Sequence, residues 1–330
     1  MEFLCQEFLR VAAGAVALIV QVNAAVAQDY PLRPVTIVVP FAAGGVVDVV
    51  ARVVSGRLAE LLGRPVIVEN VVGAGGMTAV SRVVKAAPDG YQVVLGTAAA
   101  LAINQTLYKK PLYDAAIDLA PVGLIAEQPQ MLTVRKDLPA GTLQEFVIYT
   151  KRNQARMQYG SSGAGSVSHL ACALLNVAID VNVTHVPYRG GGNVAQDLIA
   201  GRLDYWCGSP TTALPLVESN ALKAIAILAQ ARLWALPALA TAREQGLSGV
   251  EADNWFAFFL PKAAPLSIIS KLHGATAATV ETPSIQTRLK EIGAPVVGPD
   301  RRSPQYLQHF VVSEIEKWAR PIRASGVFID

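Results

Sequence analysis

The chain has 330 residues, of which 52% are hydrophobic and 16% charged, with a formal net charge of +3. That composition excludes a disordered chain, and the length suffices for one large α/β domain or two ordinary ones. Acids and bases are scattered, with no basic stripe of the kind that tracks a nucleic acid, and repeats and low-complexity tracts are absent.

The N-terminus reads as a targeting segment. Val11–Val22 is apolar apart from Gln21 and ends at "NAAVAQ", where Ala25 and Ala27 form the A-x-A pattern of signal-peptidase cleavage. The run is shorter than the roughly 20 apolar residues of a bilayer span. Glu2 and Glu7 against Arg10 make a poor leading region, which a misplaced start codon would explain. The reading predicts a signal peptide over residues 1–27, cleaved after Ala27, and export to the periplasm. The alternative is a mature N-terminal helix.

Three short β-branched runs follow, Val35–Val39, Val66–Glu69 and Gln92–Leu95, about 30 residues apart. Between them lie helical patterns over Val47–Leu62 and Thr78–Lys85. In the first, Val47, Val50, Val54, Leu58, Leu61 and Leu62 recur with a period near 3.6, and Gly63-Arg64-Pro65 stops it. Strand, helix, strand at this spacing predicts βαβ units and a parallel sheet.

The same plan restarts near Leu143. A helix over Leu143–Lys151 leads to Gln158–Tyr159, then "GSSGAGSVSH", then a helix through Leu175. Val183–Val186, Leu203–Cys207 and Ala224–Leu228 read as strands, with a helix over Asn193–Ala200. Two extended segments, Val122–Val134 and Asp253–Leu260, read as crossovers between lobes. Helices over Ile268–Val280, Ser284–Ile292 and Pro304–Ala324 would then cover the first lobe. The predicted fold is α/β and two-lobed, with a mostly parallel, helix-flanked sheet in each lobe. Residues 28–128 plus 253–330 form lobe 1 and 129–252 form lobe 2, with two crossovers and a central cleft.

Once the signal segment and its Cys5 are gone, Cys172 and Cys207 are the remaining cysteines. They permit one disulfide in an oxidising compartment. Each sits in an apolar run, and two separate buried thiols are the plainer reading.

Two turns carry the same grammar. "VPFAAGGVVD" (Val39–Asp48) and "GSSGAGSVSH" (Gly160–His169) each place glycines between a strand and a helix. Glycine lets the backbone turn its N–H groups toward a cleft, and a helix starting just beyond adds free donors and a positive dipole end. Opposed across a cleft, two such mouths could grip a small dianion. Asp48, in the first helical turn, either complements the dipole or accepts from a ligand ammonium, hydroxyl or bridging water. His169 either donates to a ligand carboxylate or caps its helix. Tyr188 and Arg189 offer an aromatic wall and a cation, or cover a strand end. Trp255, on the second crossover, reads as hinge packing, with ligand stacking as the alternative.

Other chemistry is weaker. Gly73–Thr78 approaches a dinucleotide fingerprint but lacks its third glycine and the acid ending the next strand. Gly160–Ala164 falls one residue short of a nucleophile elbow, and His185 is the one histidine of that lobe other than the nearby His169. His169, His185, His273 and His309 lack ligand spacing for a metal. No cofactor, metal or catalytic residue is expected.

The chain resembles the substrate-binding proteins of tripartite tricarboxylate transporters, often called the Bug family. "YPLRPVTIVVPFAAGG" with Asp48, "GRPVIVENVVGAGG", "AAPDGYQVVLGT", "YGSSGAGSVSHLA", "HVPYRGGG", "DLIAGRLD" and "WFAFFLP" carry the resemblance, in order, over nearly all of Tyr30–Trp318. It implies an exported binding protein that closes on a small organic acid, holds it largely through main-chain donors and water, and delivers it to a large and a small membrane subunit. A sensor subunit presenting its closed form to a membrane kinase is the alternative. A monomer with no nucleic-acid partner is expected. By motif position the ligand residues would be Phe41, Ala42, Gly44, Gly45, Asp48, Thr97 and Asn104 in lobe 1. In lobe 2 they would be Ser161, Ser162, Ala164, Ser166, His169, Tyr188, Arg189, Gly190 and Ser209. The chain departs from the family where polar groups are usual, with Val46, Val47, Ala100, Leu101, Ala164 and Gly208 in their place. An apolar or aromatic ligand body is the expectation that follows.

Overall fold

The structure is a computed structural model that describes residues 30–326 together with Phe328 and Ile329. The signal segment and Cys5 lie outside the described residues.

Two five-stranded sheets organise the chain. The first has strand order β2-β1-β3-β10-β4 and the second β7-β6-β8-β5-β9. In sheet 1 the strands are β1 (Val35–Val39), β2 (Val66–Asn70), β3 (Gln92–Thr97), β4 (Leu119–Gln128) and β10 (Asn254–Pro261). Sheet 2 holds β5 (Gln130–Arg135), β6 (Gln158–Ser161), β7 (Thr184–Pro187), β8 (Tyr205–Gly208) and β9 (Leu222–Leu228). β1 runs parallel to β2 and β3, while β10 lies antiparallel between β3 and β4. β6 runs parallel to β7 and β8, while β5 lies antiparallel between β8 and β9. The antiparallel strand in each sheet is therefore the one that has just arrived from the other lobe.

This arrangement orients the cleft. β4 passes into β5 through Pro129 alone. Because β4 shares the direction of β1–β3, its end at Gln128 marks the carboxyl edge of sheet 1. Because β5 opposes β6–β9, its start at Gln130 marks the carboxyl edge of sheet 2. The return path agrees: Ala252 N–H donates to Leu228 O at 2.8 Å just before β10 begins. The carboxyl ends of all eight parallel strands thus converge on the crossovers, where α/β proteins bind ligands.

The helices follow from periodicity. α1 (Val46–Leu62) buries Val47, Val50, Val54, Leu58 and Leu62 on one stripe and ends at Gly63, whose φ of 67° suits glycine. α2 (Met77–Val84), the short α3 (Asn104–Leu107), α4 (Leu143–Asn153), α5 (Val167–Ala178), α6 (Gly191–Ile199) and α7 (Pro210–Glu218) complete the βαβ logic. α8 (Leu266–Glu281) and α9 (Pro283–Glu291) pack on lobe 1, whereas α10 (Pro304–Ser325) packs on both β4 and α5. One core cluster accordingly runs through both lobes, from Met77 and Leu107 to Leu132, Leu170 and Trp318.

Cys172 on α5 and Cys207 on β8 form a disulfide, with Cα atoms 5.3 Å apart. This corrects the expectation of two separate thiols. Both residues are fully buried. An apolar run shows that each faces a core, but not that the helix lays one cysteine over the other.

Candidate functional site

The lobe-1 mouth is built by the chain leaving β1. Gly44 has a φ of 83°, and Gly45 is the extended N-cap of α1 with no side chain capping the helix. The first-turn amides of α1 are thus left without a side-chain cap. Asp48 shapes this turn from beneath. Its Oδ2 accepts from Gly44 N–H and Arg52 Nε, both at 2.9 Å, and its Oδ1 accepts from Asn70 Nδ2 at 2.9 Å. Asn70 also donates to Phe41 O at 2.9 Å, closing the turn onto the end of β2. Asp48 is buried, and the hydrogen bond from Arg52 is the main cause that holds its pKa down at about 2. Both of its oxygens are engaged, so its role here is to hold the glycine turn in shape. Phe41 packs against the lobe-1 core, while Ala42, Gly44 and Gly45 are exposed.

The lobe-2 mouth is held by hydroxyls and imidazoles. Ser166 caps α5, accepting from His169 N–H at 3.3 Å and donating to Gly163 O at 2.7 Å. Ser168 Oγ accepts from Ser162 N–H at 2.9 Å. Ser161 is fully buried, with its Oγ 2.7 Å from His185 Nε2 and accepting from Gly163 N–H at 3.2 Å. His169 accepts from Gly165 N–H through Nδ1 at 3.1 Å, which places the proton of its neutral ring on Nε2. The His169 and His185 rings stack with centroids 3.8 Å apart, and Tyr159 stacks on His185 at 4.9 Å. Burial is the main cause that lowers both histidine pKa values to about 4. His169 therefore points into lobe 2, and its main chain, not its ring, takes part in the cap. Among the described residues no carboxylate is hydrogen-bonded to the Ser161–His185 pair, and Ser161 is buried, so the pair lacks the third member and the access of a nucleophilic triad.

The other expected residues divide. Ala164 and Arg189 are exposed, and Arg189 has no ion pair or hydrogen bond among the described residues. Gly190 is the N-cap of α6, again with no side-chain cap. Tyr188 turns its hydroxyl back to Asp197 Oδ2 at 2.6 Å. Ser209 is the N-cap of α7, with its hydroxyl engaged by Thr211. Thr97 and Asn104 are buried: Thr97 Oγ1 accepts from Ala100 N–H at 3.2 Å, and Asn104 Nδ2 donates to Gly75 O at 2.9 Å. Val47, Ala100 and Leu101 are also buried, at 6%, 0% and 0% exposure, so they belong to the core and line no cleft. Val46 packs partly on the lobe-1 core. Of the expected polar-to-apolar departures, Ala164 is the one openly presented. Sequence reasoning passed over Asn70, Arg52 and Ser168, which brace the turns. For Asn70 a signal existed: a polar residue closing a β-branched run at the carboxyl edge beside β1.

Chemically, the converging edges offer helix N-termini without side-chain caps (α1, α6 and α7 among them), glycine turns and, in Arg189, a cation with no ion pair or hydrogen bond among the described residues. This set favours a small anion, held by main-chain donors. Among the described residues no cluster of three or more His, Cys, Asp or Glu could hold a metal ion. A cavity of about 760 Å³ beside the crossovers has a different character, being lined by paired charges such as Glu127 with Arg301 and Glu314 with Lys317.

Residues 50–327 match the family model TctC, described as the tripartite tricarboxylate transporter family receptor. A UPF0065 protein of Agrobacterium vitis, from the ttuE-ttuC' intergenic region, is 38% identical over 304 residues, covering 91% of this chain and 87% of its own. Two solved structures from Rhodopseudomonas palustris are similar. MatC (Rpa3494), with bound malate, has a TM-score of 0.74 and 37% identity, covering 89% of this chain and 100% of its own. Rpa4515, with adipate, has a TM-score of 0.75 and 34% identity, covering 91% of this chain and 99% of its own.

Proposed function

This chain belongs to the tripartite tricarboxylate transporter family of receptors, and from that premise we propose that it captures a small dicarboxylate between its lobes and delivers it to a transporter of one large and one small membrane subunit. It is a binding protein and not an enzyme. The observation that carries the ligand class is the pair of glycine turns whose following helices, α1 after Gly44-Gly45 and α6 after Gly190, have no side-chain cap at the carboxyl edges of the two sheets. They supply main-chain donors to two separated anionic groups without a fixed array of charged side chains. Malate and adipate, the acids held by the two R. palustris proteins, are both aliphatic dicarboxylates. Membership also implies a periplasmic protein. The buried disulfide suits that oxidising compartment, and export would proceed with cleavage after Ala27.

The third carboxylate of citrate, which malate and adipate lack, would be short of partners here, and each hydrogen bond to a charged group is worth about 1.5–3 kcal/mol. Calorimetric titration should give malate or adipate at least about tenfold tighter binding than citrate, a gap of about 1.4 kcal/mol. Equal or tighter binding of citrate would overturn the dicarboxylate reading. No binding of any of the three would overturn the carboxylate reading altogether.

A further inference from the structure

Trp206 stands on β8 at the carboxyl edge of sheet 2, 1% exposed. Its neighbours along the strand, Tyr205 and Cys207, face the α5 side, where Tyr205 packs on Phe146 and Cys207 meets Cys172. Trp206 faces the α6–α7 side and leans toward the edge. Its indole lies across Gly208, where a Cβ would stand 2.2 Å from ring atoms Cε2 and Cζ2. Position 208 can therefore hold no side chain while the indole is in place. The far edge of the ring reaches the first turn of α6, where a Cβ on Gly191 would meet Cζ2 at 3.0 Å and Cη2 at 3.2 Å. Ser162 Oγ lies 3.6 Å from that same point. Gly190 and Gly192, on either side, face open space. Gly191 thus sets bare backbone against the ring edge beside Ser162 Oγ, with a glycine on either side.

A second observation concerns the indole nitrogen. Trp206 Nε1 is buried and has no hydrogen-bond partner among the described residues. The contrast within the chain is direct: Trp255 Nε1 donates to Glu314 Oε2 at 3.0 Å and Trp318 Nε1 to the same oxygen at 3.1 Å. Buried indole N–H groups ordinarily find a partner, and one left without calls for a reason.

We propose that Trp206 is the specificity-determining wall of the lobe-2 half of the cleft: its indole backs the Gly190–Gly192 turn with an apolar surface, and its Nε1–H is a donor reserved for an oxygen of the bound acid. The inference rests on the carboxylate-binding reading of the cleft and sharpens it to a residue. An aromatic face suits the methylene body of a dicarboxylate such as adipate and offers nothing to additional charged groups. A flexible glycine-only turn above the ring lets ligand and indole approach when the lobes close.

The test uses the mature protein labelled with ¹⁵N in its tryptophans, with adipate as the probe. Four indole signals are expected, and cross-peaks to the α protons of Gly191 and Gly208 identify Trp206 without a variant. Adipate should move the Trp206 Nε1–H signal downfield by more than any shift of Trp255 and Trp318, which are already bonded. By calorimetry, Trp206→Phe should weaken adipate at least fivefold while leaving citrate affinity within twofold of the unmodified protein. Adipate binding with an unmoved Trp206 signal overturns the inference alone and leaves the carboxylate-binding reading standing, as does unchanged affinity in W206F. If malate, adipate and citrate all fail to bind the unmodified protein, both fall together. Should W206F not fold, the spectrum of the unmodified protein decides by itself.

Discussion

In lobe 1 the glycine turn is held by an ion, and in lobe 2 by neutral rings and hydroxyls. Asp48, buried and ionised, gathers Gly44, Arg52 and Asn70 into one network. The equivalent place in lobe 2 holds Ser161, Ser166, Ser168 and two stacked histidines kept neutral by burial. A glycine turn between a strand and a helix is thus fixed by either chemistry. The two turns differ too at the helix that follows: the first turn of α1 carries no side-chain cap, whereas Ser166 caps α5, so the uncapped N-terminus in lobe 2 is that of α6 after Gly190. The lobes differ also in covalent restraint, since the disulfide ties α5 to β8 inside lobe 2 and the described residues of lobe 1 contain no cysteine.

The largest effect expected from that difference comes from breaking the disulfide. It closes a loop with a sequence separation of 35, for which the chain-entropy relation gives about 4 kcal/mol of stabilisation. Cys172→Ser with Cys207→Ser should lower the unfolding free energy by about 3–4 kcal/mol in denaturant titration. Because one core cluster crosses between the lobes, the loss should show as a single shifted transition. A biphasic curve, with lobe 2 melting first, would show instead that the shared core does not couple them.

Acid should separate the two mouths next. His169 and His185 have pKa values near 4 when folded, against an ordinary value near 6.5. Between those values the unfolded chain binds protons that the folded chain refuses, so stability falls as pH drops from about 6.5 to 4. Protonating His169 at Nδ1 also removes the acceptor for Gly165 N–H. Asp48 behaves oppositely in position on the scale. Its folded pKa of about 2 lies below the ordinary carboxylate value, so its contribution is intact above that value and is lost only as pH falls toward 2. Asp253, whose carboxyl burial pushes up to about 8, acts with the opposite sign over the same window, so the histidine contribution is read as a difference: between pH 6.5 and 4, chemical denaturation should show His185→Gln losing less stability than the unmodified protein. Equal changes in the two proteins would mean that His185 titrates normally in the folded protein.

Much of the scaffold is readable in the sequence because it rests on periodicity. The stripe Val47, Val50, Val54, Leu58 and Leu62, the stop at Gly63 and the β-branched runs near Val35, Val66 and Gln92 all became the elements expected, within a few residues. The crossovers over Val122–Val134 and Asp253–Leu260 also took their places, as β4 with β5 and as β10. Side-chain direction at the strand ends was not readable. A residue one step past a strand faces the cleft or the core according to how the turn closes, and the turn is set by contacts from distant residues such as Asn70 and His185. For that reason Ala100 and Leu101, which follow β3 closely, went to the core. Cys172 and Cys207 met for a similar reason, because which helix face covers which strand is a tertiary fact.

The smallest expected effect tests the comparison at its edge. Val46, the first residue of α1, and Ala164, in the turn before α5, are two of the positions where the resemblance implied a departure from polar side chains. Val46 packs partly on the lobe-1 core, whereas Ala164 is exposed in the turn before α5. Val46→Ser removes apolar contact without giving the ligand a new partner, so it should cost about 1 kcal/mol of stability and leave the ratio of adipate to citrate affinity unchanged. Ala164→Asn should do the reverse. It leaves stability within about 0.5 kcal/mol, as exposed substitutions usually do, and it adds a donor and an acceptor at the mouth of lobe 2. One new hydrogen bond to a charged ligand group is worth about 1.5 kcal/mol at the low end, so citrate should gain up to about tenfold relative to adipate. Thermal unfolding and calorimetry on the two variants separate the cases. A changed ligand ratio in V46S together with an unchanged one in A164N would place the selective wall in lobe 1 and move the argument for selectivity away from the turn that Trp206 supports.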